Sequence, residues 1–216
     1  MLVEATRSAS HPDGTLQCGR VDNARRRDAD ADCAYHRRLD PHSTSPLMTI
    51  SMHAASVPVF RQMLGSLGAL LDKAQAHAEA RNFDAGVLLQ ARLFPDMFPL
   101  VRQVQIACDF AKGVTARLAG AEVPVYDDKE QSLEELRALV DRTIAFVGSF
   151  DADAFTGSEG REIVTRPGTP KERRFNGQDY LLSYGLPQFF FHVNTAYALL
   201  RHNGVEIGKR DYMGAY

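Results

Sequence analysis

The chain has 216 residues, of which 44% are hydrophobic and 24% charged, values that are ordinary for a soluble globular protein. A formal net charge of −2 gives no electrostatic basis for binding nucleic acid or an anionic membrane surface. Polar side chains interrupt every apolar run before it reaches the roughly 20 residues that a membrane-spanning helix needs. Three scattered cysteines without a C-x-x-C pair predict reduced thiols and a cytoplasmic protein.

Residues 1–47 differ in composition from the rest of the chain. They contain seven arginines and seven acidic residues but no lysine, and their apolar residues follow neither helical nor strand periodicity. Such a segment buries too little apolar surface to offset the entropy of ordering it. We predict a disordered N-terminal extension or, since Met48 and Met52 stand before the first periodic segment, upstream sequence translated from a start codon assigned too early. The folded domain is expected over residues 48–216.

Two amphipathic helices are predicted in the first half of this domain. The first begins near Ser56 as its N-cap, and apolar residues then recur at steps of three and four from Phe60 to Ala78. Asp96 is expected to cap the second helix, whose apolar stripe runs to about Leu118. Each stripe needs a partner surface, which favours a helical bundle.

A third helix and a short extended excursion are predicted next. Ser132 and Glu135 form a capping-box pattern, and apolar residues spaced by three and four continue to Phe150. Residues 156–175 then hold a Pro/Gly turn between two short flanking segments, which indicates a β-hairpin or an extended excursion.

The longest apolar stretch, Gln178–Asn203, is predicted to be the central helix. Asn176 caps it, and Pro187 is expected to kink it because proline removes one backbone hydrogen bond. Phe190 falls off the main apolar face, which indicates contact with a partner subunit. That face comprises Leu181, Leu182, Leu186, Phe189, Val193, Ala196, Tyr197, Leu199 and Leu200. The predicted fold is an all-α, antiparallel four-helix bundle with a short β-hairpin or extended excursion between helices 3 and 4.

His192 is the histidine best placed for chemistry. It lies about 60° from the centre of the apolar face at 100° per residue, with Gln188 one turn before it and Tyr184 one turn earlier still. A neutral imidazole at this core margin suits a metal ligand or an acid/base; the alternative is a structural histidine hydrogen-bonded to a carbonyl or to Gln188. His192 is thus a candidate metal ligand whose partner ligands are not identified, and Tyr184 and Gln188 are expected at a pocket edge.

Two neighbouring side chains offer less chemistry. Cys108 lies at the flank of its stripe without a neighbouring base, which predicts a partly buried, inert thiol rather than a nucleophile. Asp109 falls opposite the stripe and is expected to be a surface carboxylate. The chain contains no nucleophile elbow and no phosphate-binding glycine loop, so the residues alone predict no reaction.

Several strings together resemble the bacterial family catalogued as domain of unknown function 1993 (DUF1993), over about residues 50–214. They are ASVPVF at 55–60, ARLFPDMFPL at 91–100, QVQIACDFAKG at 103–113, GQDYLL at 177–182 and LPQFFFHVNTAYALLRHNGVEIGKRDY at 186–212. That family is related to the DinB/YfiT-like superfamily of four-helix bundles, which are often dimeric. Many members carry a three-histidine metal site, and some are thiol-dependent transferases or isomerases.

The resemblance implies a DinB-like bundle and a homodimer, in which the partner is a second copy of the chain. In the family, histidines often occupy the positions that hold Phe110 and Ser183 here, so the resemblance implies that two of three metal ligands are lost and only His192 is kept. We therefore expect a small-molecule-binding or dimeric module with an incomplete metal site. The alternative is a metal-dependent, thiol transferase-like enzyme that holds a divalent metal such as zinc or nickel on His192.

Overall fold

The computed structural model describes residues 50–216, so the expected N-terminal extension lies outside the described residues. The elements in chain order are α1 Val57–Ala80, α2 Gly86–Leu89, α3 Leu100–Ala119, α4 Leu133–Val147, the 3₁₀ turns Ala152–Phe155 and Ser158–Gly160, β1 Glu162–Thr165, β2 Arg173–Asn176, α5 Gly177–Asp179, a π-helical segment Tyr180–Gly185, α6 Leu186–His202 and α7 Lys209–Met213.

The four long helices form the predicted bundle. Helix α1 packs against α4, α4 against α3, α3 against α6, and α6 back against α1. Strands β1 and β2 pair antiparallel with Ile163 opposite Phe175, and this hairpin stands between α4 and α6 in the chain. The predicted four-helix bundle with a β-hairpin between its third and fourth long helices is therefore confirmed.

The bundle core is built from the predicted apolar stripes. On α1, Phe60, Leu64 and Leu67 are fully buried, whereas Asp72 and Lys73 are exposed. Burying a side chain of this size stabilises the fold by ~1.5–3 kcal/mol, so the core is the main source of stability. None of the helices between residues 50 and 216 has the length and apolar character that a membrane span requires.

Two of the predicted helix caps are confirmed and one is altered. The Ser132 hydroxyl accepts a hydrogen bond from the Glu135 N–H at 3.0 Å, and the Asn176 side chain accepts one from the Asp179 N–H at 2.8 Å. Ser56 stands at the predicted N-cap of α1, but its hydroxyl donates back to the Met52 carbonyl at 2.6 Å. The sequence therefore predicts the N-cap residue correctly for all three of these helices. It predicts the capping hydrogen bond only for those that begin after Ser132 and Asn176.

The predicted cap of α3 by Asp96 is wrong. Pro99 occupies the N-cap, and the first helical N–H, that of Leu100, donates to the Ala91 carbonyl at 3.1 Å. The loop between α2 and α3 folds back far enough for a backbone carbonyl to take the role expected of the carboxylate.

The helix predicted over Gln178–Asn203 contains a π-helical segment, Tyr180–Gly185, directly before α6 and next to Pro187. Proline donates no N–H and its ring crowds the carbonyl of Ser183 four residues earlier, and a widened turn relieves that contact. The wider turn also shifts the angular register of the helix. As a result Leu182, predicted on the apolar face, is 49% exposed.

Phe191, not Phe190, is the exposed aromatic of α6. Phe190 is half-buried against the core, with its ring centroid 5.6 Å from that of Phe189, whereas Phe191 is 54% exposed. Helix α6 contacts both α3 and α1, so its buried arc is wider than a single stripe predicts.

The C-terminal segment lies along α1. The Ser66 hydroxyl donates to the Tyr212 carbonyl at 2.6 Å, and Gln62 Nε2 donates to the Met213 carbonyl at 2.9 Å. An ion pair between Lys73 and Asp211 flanks these contacts. Backbone carbonyls of α7 are thus satisfied by side chains of α1.

Candidate functional site

His192 is buried in the interface between α6 and α3, with 6% of its surface exposed. Its Nδ1 lies 2.7 Å from Gln103 Oε1, and Gln103 Nε2 donates to the Phe98 carbonyl at 3.1 Å. Because the carbonyl must be met by the amide NH₂, the amide oxygen faces the imidazole and accepts from it. The proton of the neutral ring therefore sits on Nδ1, and Nε2 carries the free lone pair.

Aromatic rings enclose the imidazole. Phe110 stacks on it at 6.0 Å between ring centroids with an interplanar angle of 17°, and the neighbouring Phe191 meets it edge-on at 5.1 Å. Burial, with a smaller contribution from the charge of Arg102, lowers the pKa of His192 to about 4. The ring is therefore neutral at ordinary pH.

The hydrogen-bond partner of His192 differs from both predicted ones. Its Nδ1 meets neither a backbone carbonyl nor Gln188, but the side-chain amide oxygen of Gln103, which is 89 residues earlier in the chain. Gln188 is half-buried on α6. Helical periodicity shows which residues lie one turn from His192 on the same helix. It does not show which residue of a facing helix packs against it.

A cluster of aromatic rings adjoins Phe110. Tyr184, in the π-helical segment, contacts Phe110 at 5.8 Å, Tyr180 at 5.8 Å and Phe175 of β2 at 5.2 Å between ring centroids. Tyr180 is almost fully buried, and its hydroxyl accepts a hydrogen bond from Arg117 at 3.0 Å. Burial raises the pKa of Tyr180, so its phenol stays protonated.

A cleft opens beside this cluster, between α3, the π-helical segment and the turn of the hairpin. Its volume is ≈ 380 Å³. The apolar part of its wall consists of Phe98, Ile106, Phe110 and Tyr184. The charged part consists of Arg102, Arg117, Arg166 and Asp109. We call this cavity the α3 cleft. Tyr184 therefore lines a cavity, and Gln188 is not among the residues that line it.

Two of the four charged side chains that line the α3 cleft form ion pairs with residues that do not line it. Arg102 donates to Asp128 at 2.8 Å, and Asp109 lies 2.6 Å from Lys112, which is almost fully buried. Asp109 is half-buried rather than fully solvated, because the loop 121–131 lies over this side of α3. Of the cations that line the cleft, Arg117 and Arg166 form no ion pair with a carboxylate between residues 50 and 216.

The side chains around His192 do not fit a metal site. Among residues 50–216 no three His, Cys, Asp or Glu side chains converge on one point. Phe110, one of the positions where the family resemblance implies a histidine, covers the face of the imidazole, and Ser183, the other, is exposed. Metal coordination in proteins needs three or more such donors, and His192 supplies one.

Cys108 offers no reactive thiol. It is completely buried, more so than predicted, and burial raises its pKa to about 12. The thiolate required for nucleophilic attack is therefore absent at ordinary pH.

The bundle, its hairpin and the aromatic site on α3 and α6 define a helical protein of the DinB-like class. A family model described as "Domain of unknown function (DUF1993)" matches residues 52–213, and the chain belongs to that family. It is similar to a crystal structure of a DinB family member protein from Shewanella denitrificans, with 40% sequence identity and a TM-score of 0.71. That match covers 76% of this chain and 92% of the other. No curated protein matches the chain.

Sequence reasoning missed Gln103, Arg102 and Arg117. The signal that points to them is the polar residues that interrupt the apolar pattern of α3, where Gln103 and Gln105 flank Val104. A buried polar side chain needs a partner, and such residues in a helix packed on both sides therefore indicate a site.

Proposed function

We propose that the protein is a DinB-like small-molecule-binding module whose ligand occupies the α3 cleft, and that it works without a metal centre. The observation that carries the proposal is the wall of the cleft, where Phe110 and Tyr184 stand beside cationic groups. Small-molecule sites typically combine a mostly apolar wall with a few fixed polar groups, and span about 300–1,000 Å³. The α3 cleft, at ≈ 380 Å³, suits a small ligand.

The role of His192 in this proposal is positional. Its Nδ1–H is held by Gln103, and its ring supports Phe110, which forms part of the wall of the cleft. The imidazole thereby helps to fix the position of Phe110 between α3 and α6. No reaction step is assigned to it.

A cavity-filling variant tests the site. We would screen small aromatic fragments by ligand-observed NMR against the wild type, Ile106→Trp and Val125→Trp. Ile106 lines the α3 cleft, whereas Val125 is 91% exposed on a loop. The proposal expects fragment binding that is lost in Ile106→Trp and kept in Val125→Trp. Binding that survives Ile106→Trp, or no binding to the wild type, would overturn it.

Metal analysis tests the alternative, a thiol transferase-like enzyme with zinc or nickel on His192. The protein would be purified without chelators and its metal content measured for the wild type and His192→Ala. The proposal expects less than a tenth of a metal ion per chain in both. A stoichiometric metal that disappears in His192→Ala would favour the enzyme.

We also propose that two copies of the chain associate. Phe191 supports this, because its ring is 54% exposed on a long helix and aromatic residues are enriched at subunit interfaces. We also propose that the protein is cytoplasmic. The free cysteine Cys108 supports this, because thiols are kept reduced in the cytosol.

A further inference from the structure

We propose that the ligand of the α3 cleft is a small organic anion: a flat aromatic body that bears one carboxylate or phosphate. This inference rests on the proposed function, since it names the chemical class of the ligand at the same site. Two features of the cleft support it. The charged side chains favour an anionic group on the ligand, and the aromatic rings favour a flat aromatic body.

The charge of the cleft favours an anion. Three guanidinium groups, those of Arg102, Arg117 and Arg166, line it against a single carboxylate. That carboxylate, Asp109, is neutralised by Lys112 at 2.6 Å, and Arg102 is neutralised by Asp128 at 2.8 Å. Two positive charges are then left facing one small cavity. Bringing a ligand cation there costs energy, whereas an anion is stabilised.

Arg117 is held in place before a ligand arrives. One of its guanidinium nitrogens lies against Gly113, within 2.7 Å of the point where a side-chain carbon would stand on any other residue. The same nitrogen donates to the Tyr180 hydroxyl at 3.0 Å. Because a guanidinium has five N–H groups, the Tyr180 contact leaves others free to bind a carboxylate or phosphate. A fixed donor loses little entropy on binding.

Arg166 supplies the second charge from the hairpin. It stands at the turn between β1 and β2 with φ at 51°, a left-handed backbone conformation that non-glycine residues adopt infrequently. Its side chain makes no hydrogen bond or ion pair with another residue between 50 and 216. The hairpin therefore contributes an uncommitted cation to the lining of the cleft.

The rings select the body of the ligand. Phe110 and Tyr184 meet at 5.8 Å with an interplanar angle of 65°, and Phe98 is 55% exposed at the rim of the same cavity. Flat aromatic ligands gain both apolar burial and edge or face contacts against such rings. A volume of ≈ 380 Å³ lies near the lower end of the range that is typical of small-molecule sites, which favours a small ligand.

The test uses four probes that share a naphthalene ring: 2-naphthoate, 2-naphthyl phosphate, 2-naphthamide and 2-naphthylmethylamine. Binding to the full chain would be measured by titration calorimetry at 50 and 300 mM salt. We expect one or both anions to bind at least tenfold more tightly than the amide, the amine to be weakest, and anion affinity to fall at the higher salt concentration. The carboxylate and phosphate arms identify which anionic group the cleft prefers.

The variants Arg117→Gln and Arg166→Gln are expected to weaken anion binding about tenfold each while leaving binding of the amide within twofold. The control is Arg201→Gln, an exposed arginine of α6 outside the cleft. Arg166 is exposed at a turn, so its variant folds even if Arg117→Gln does not.

Failure of this inference and failure of the proposed function give different results. Equal binding of anion and amide overturns the anionic class and leaves the small-molecule site standing. Binding of no probe, together with no fragment hits, overturns both. If the amine binds more tightly than the anions, the anionic class of ligand is contradicted but the small-molecule site is not.

Discussion

At the scale of single residues, the central feature is the chain of contacts from Phe98 through Gln103 to His192. The amide of Gln103 satisfies the buried imidazole of His192 and the partly buried carbonyl of Phe98 at once, and its orientation is fixed by the carbonyl it donates to. Buried polar groups are costly when a partner is lost, so this amide specifies how α3 and α6 are aligned.

Gln103→Leu is expected to destabilise the protein by about 1–3 kcal/mol, because Nδ1–H of His192 is then buried without an acceptor. Urea unfolding followed by circular dichroism measures the loss. Gln188→Leu is the matched control: Gln188 is half-buried and its side chain makes no hydrogen bond to another residue between 50 and 216, so the expected change is below 0.5 kcal/mol, about the limit for neutral sites. Equal effects of the two variants would contradict the assigned role of Gln103.

His192 should also make stability depend on pH. Its pKa in the folded protein is about 4, below the ordinary 6.5, so between these values the unfolded chain binds a proton that the folded protein does not. Stability from the neutral ring is present in full above pH 6.5 and is lost as pH falls towards 4.

Urea midpoints at pH 7.5 and 4.5 would show this in the wild type, and His192→Gln should have a smaller difference between the two midpoints because glutamine does not titrate. The same difference in both proteins would count against the neutral, buried imidazole. An NMR titration of the imidazole Cε1 proton gives the pKa directly.

The sequence predicted His192 as the important histidine, but not what holds it. Its place at the core margin follows from helical periodicity alone. Gln103 on α3 became its partner only through the packing of two helices, which periodicity does not describe. Leu182 shows the same limit: the π-helical segment changes the register, so a 100° projection assigns it to the wrong face.

At the scale of elements, the loop 121–131 is held on the bundle by Tyr126. Lys112 Nζ and Arg142 Cζ each lie 3.7 Å from the centroid of its ring, so the ring is placed between two cations. Lys112 is almost fully buried, and a desolvated cation gains more from an aromatic face than an exposed one. The loop in turn covers α3, which explains why that helix is buried on more sides than its apolar stripe.

Tyr126→Leu is expected to cost about 1–2 kcal/mol and to speed amide hydrogen exchange in residues 121–131, because both cation–π contacts are lost. Tyr126→Phe keeps the ring and should retain wild-type exchange. Hydrogen exchange followed by mass spectrometry distinguishes the two. Protection that is unchanged in Tyr126→Leu would show that Arg102–Asp128 and Gln105–Glu130 hold the loop without the ring.

At the scale of the whole molecule, the fold could be predicted from the sequence because its strongest signals are periodic. Four stripes at steps of three and four require four helices that share a core, and the Pro/Gly turn at 166–170 separates two short strands. The α3 cleft could not be predicted in this way. Its wall combines α3, the π-helical segment and the hairpin turn, and no spacing in the sequence relates these three.

Association of two copies is the prediction that belongs to the whole molecule. A central aromatic residue at an interface contributes about 2 kcal/mol or more, so Phe191→Ser should weaken a dimer by about thirtyfold in Kd. Light scattering coupled to size exclusion, over a hundredfold range of protein concentration, gives the mass. We expect the wild type near twice the chain mass, Phe191→Ser shifted towards one chain, and Val125→Ser, which changes a 91% exposed loop residue, unshifted. A wild type that stays at one chain mass throughout would refute association, and a Phe191→Ser protein that remains dimeric would place the interface away from this face of α6.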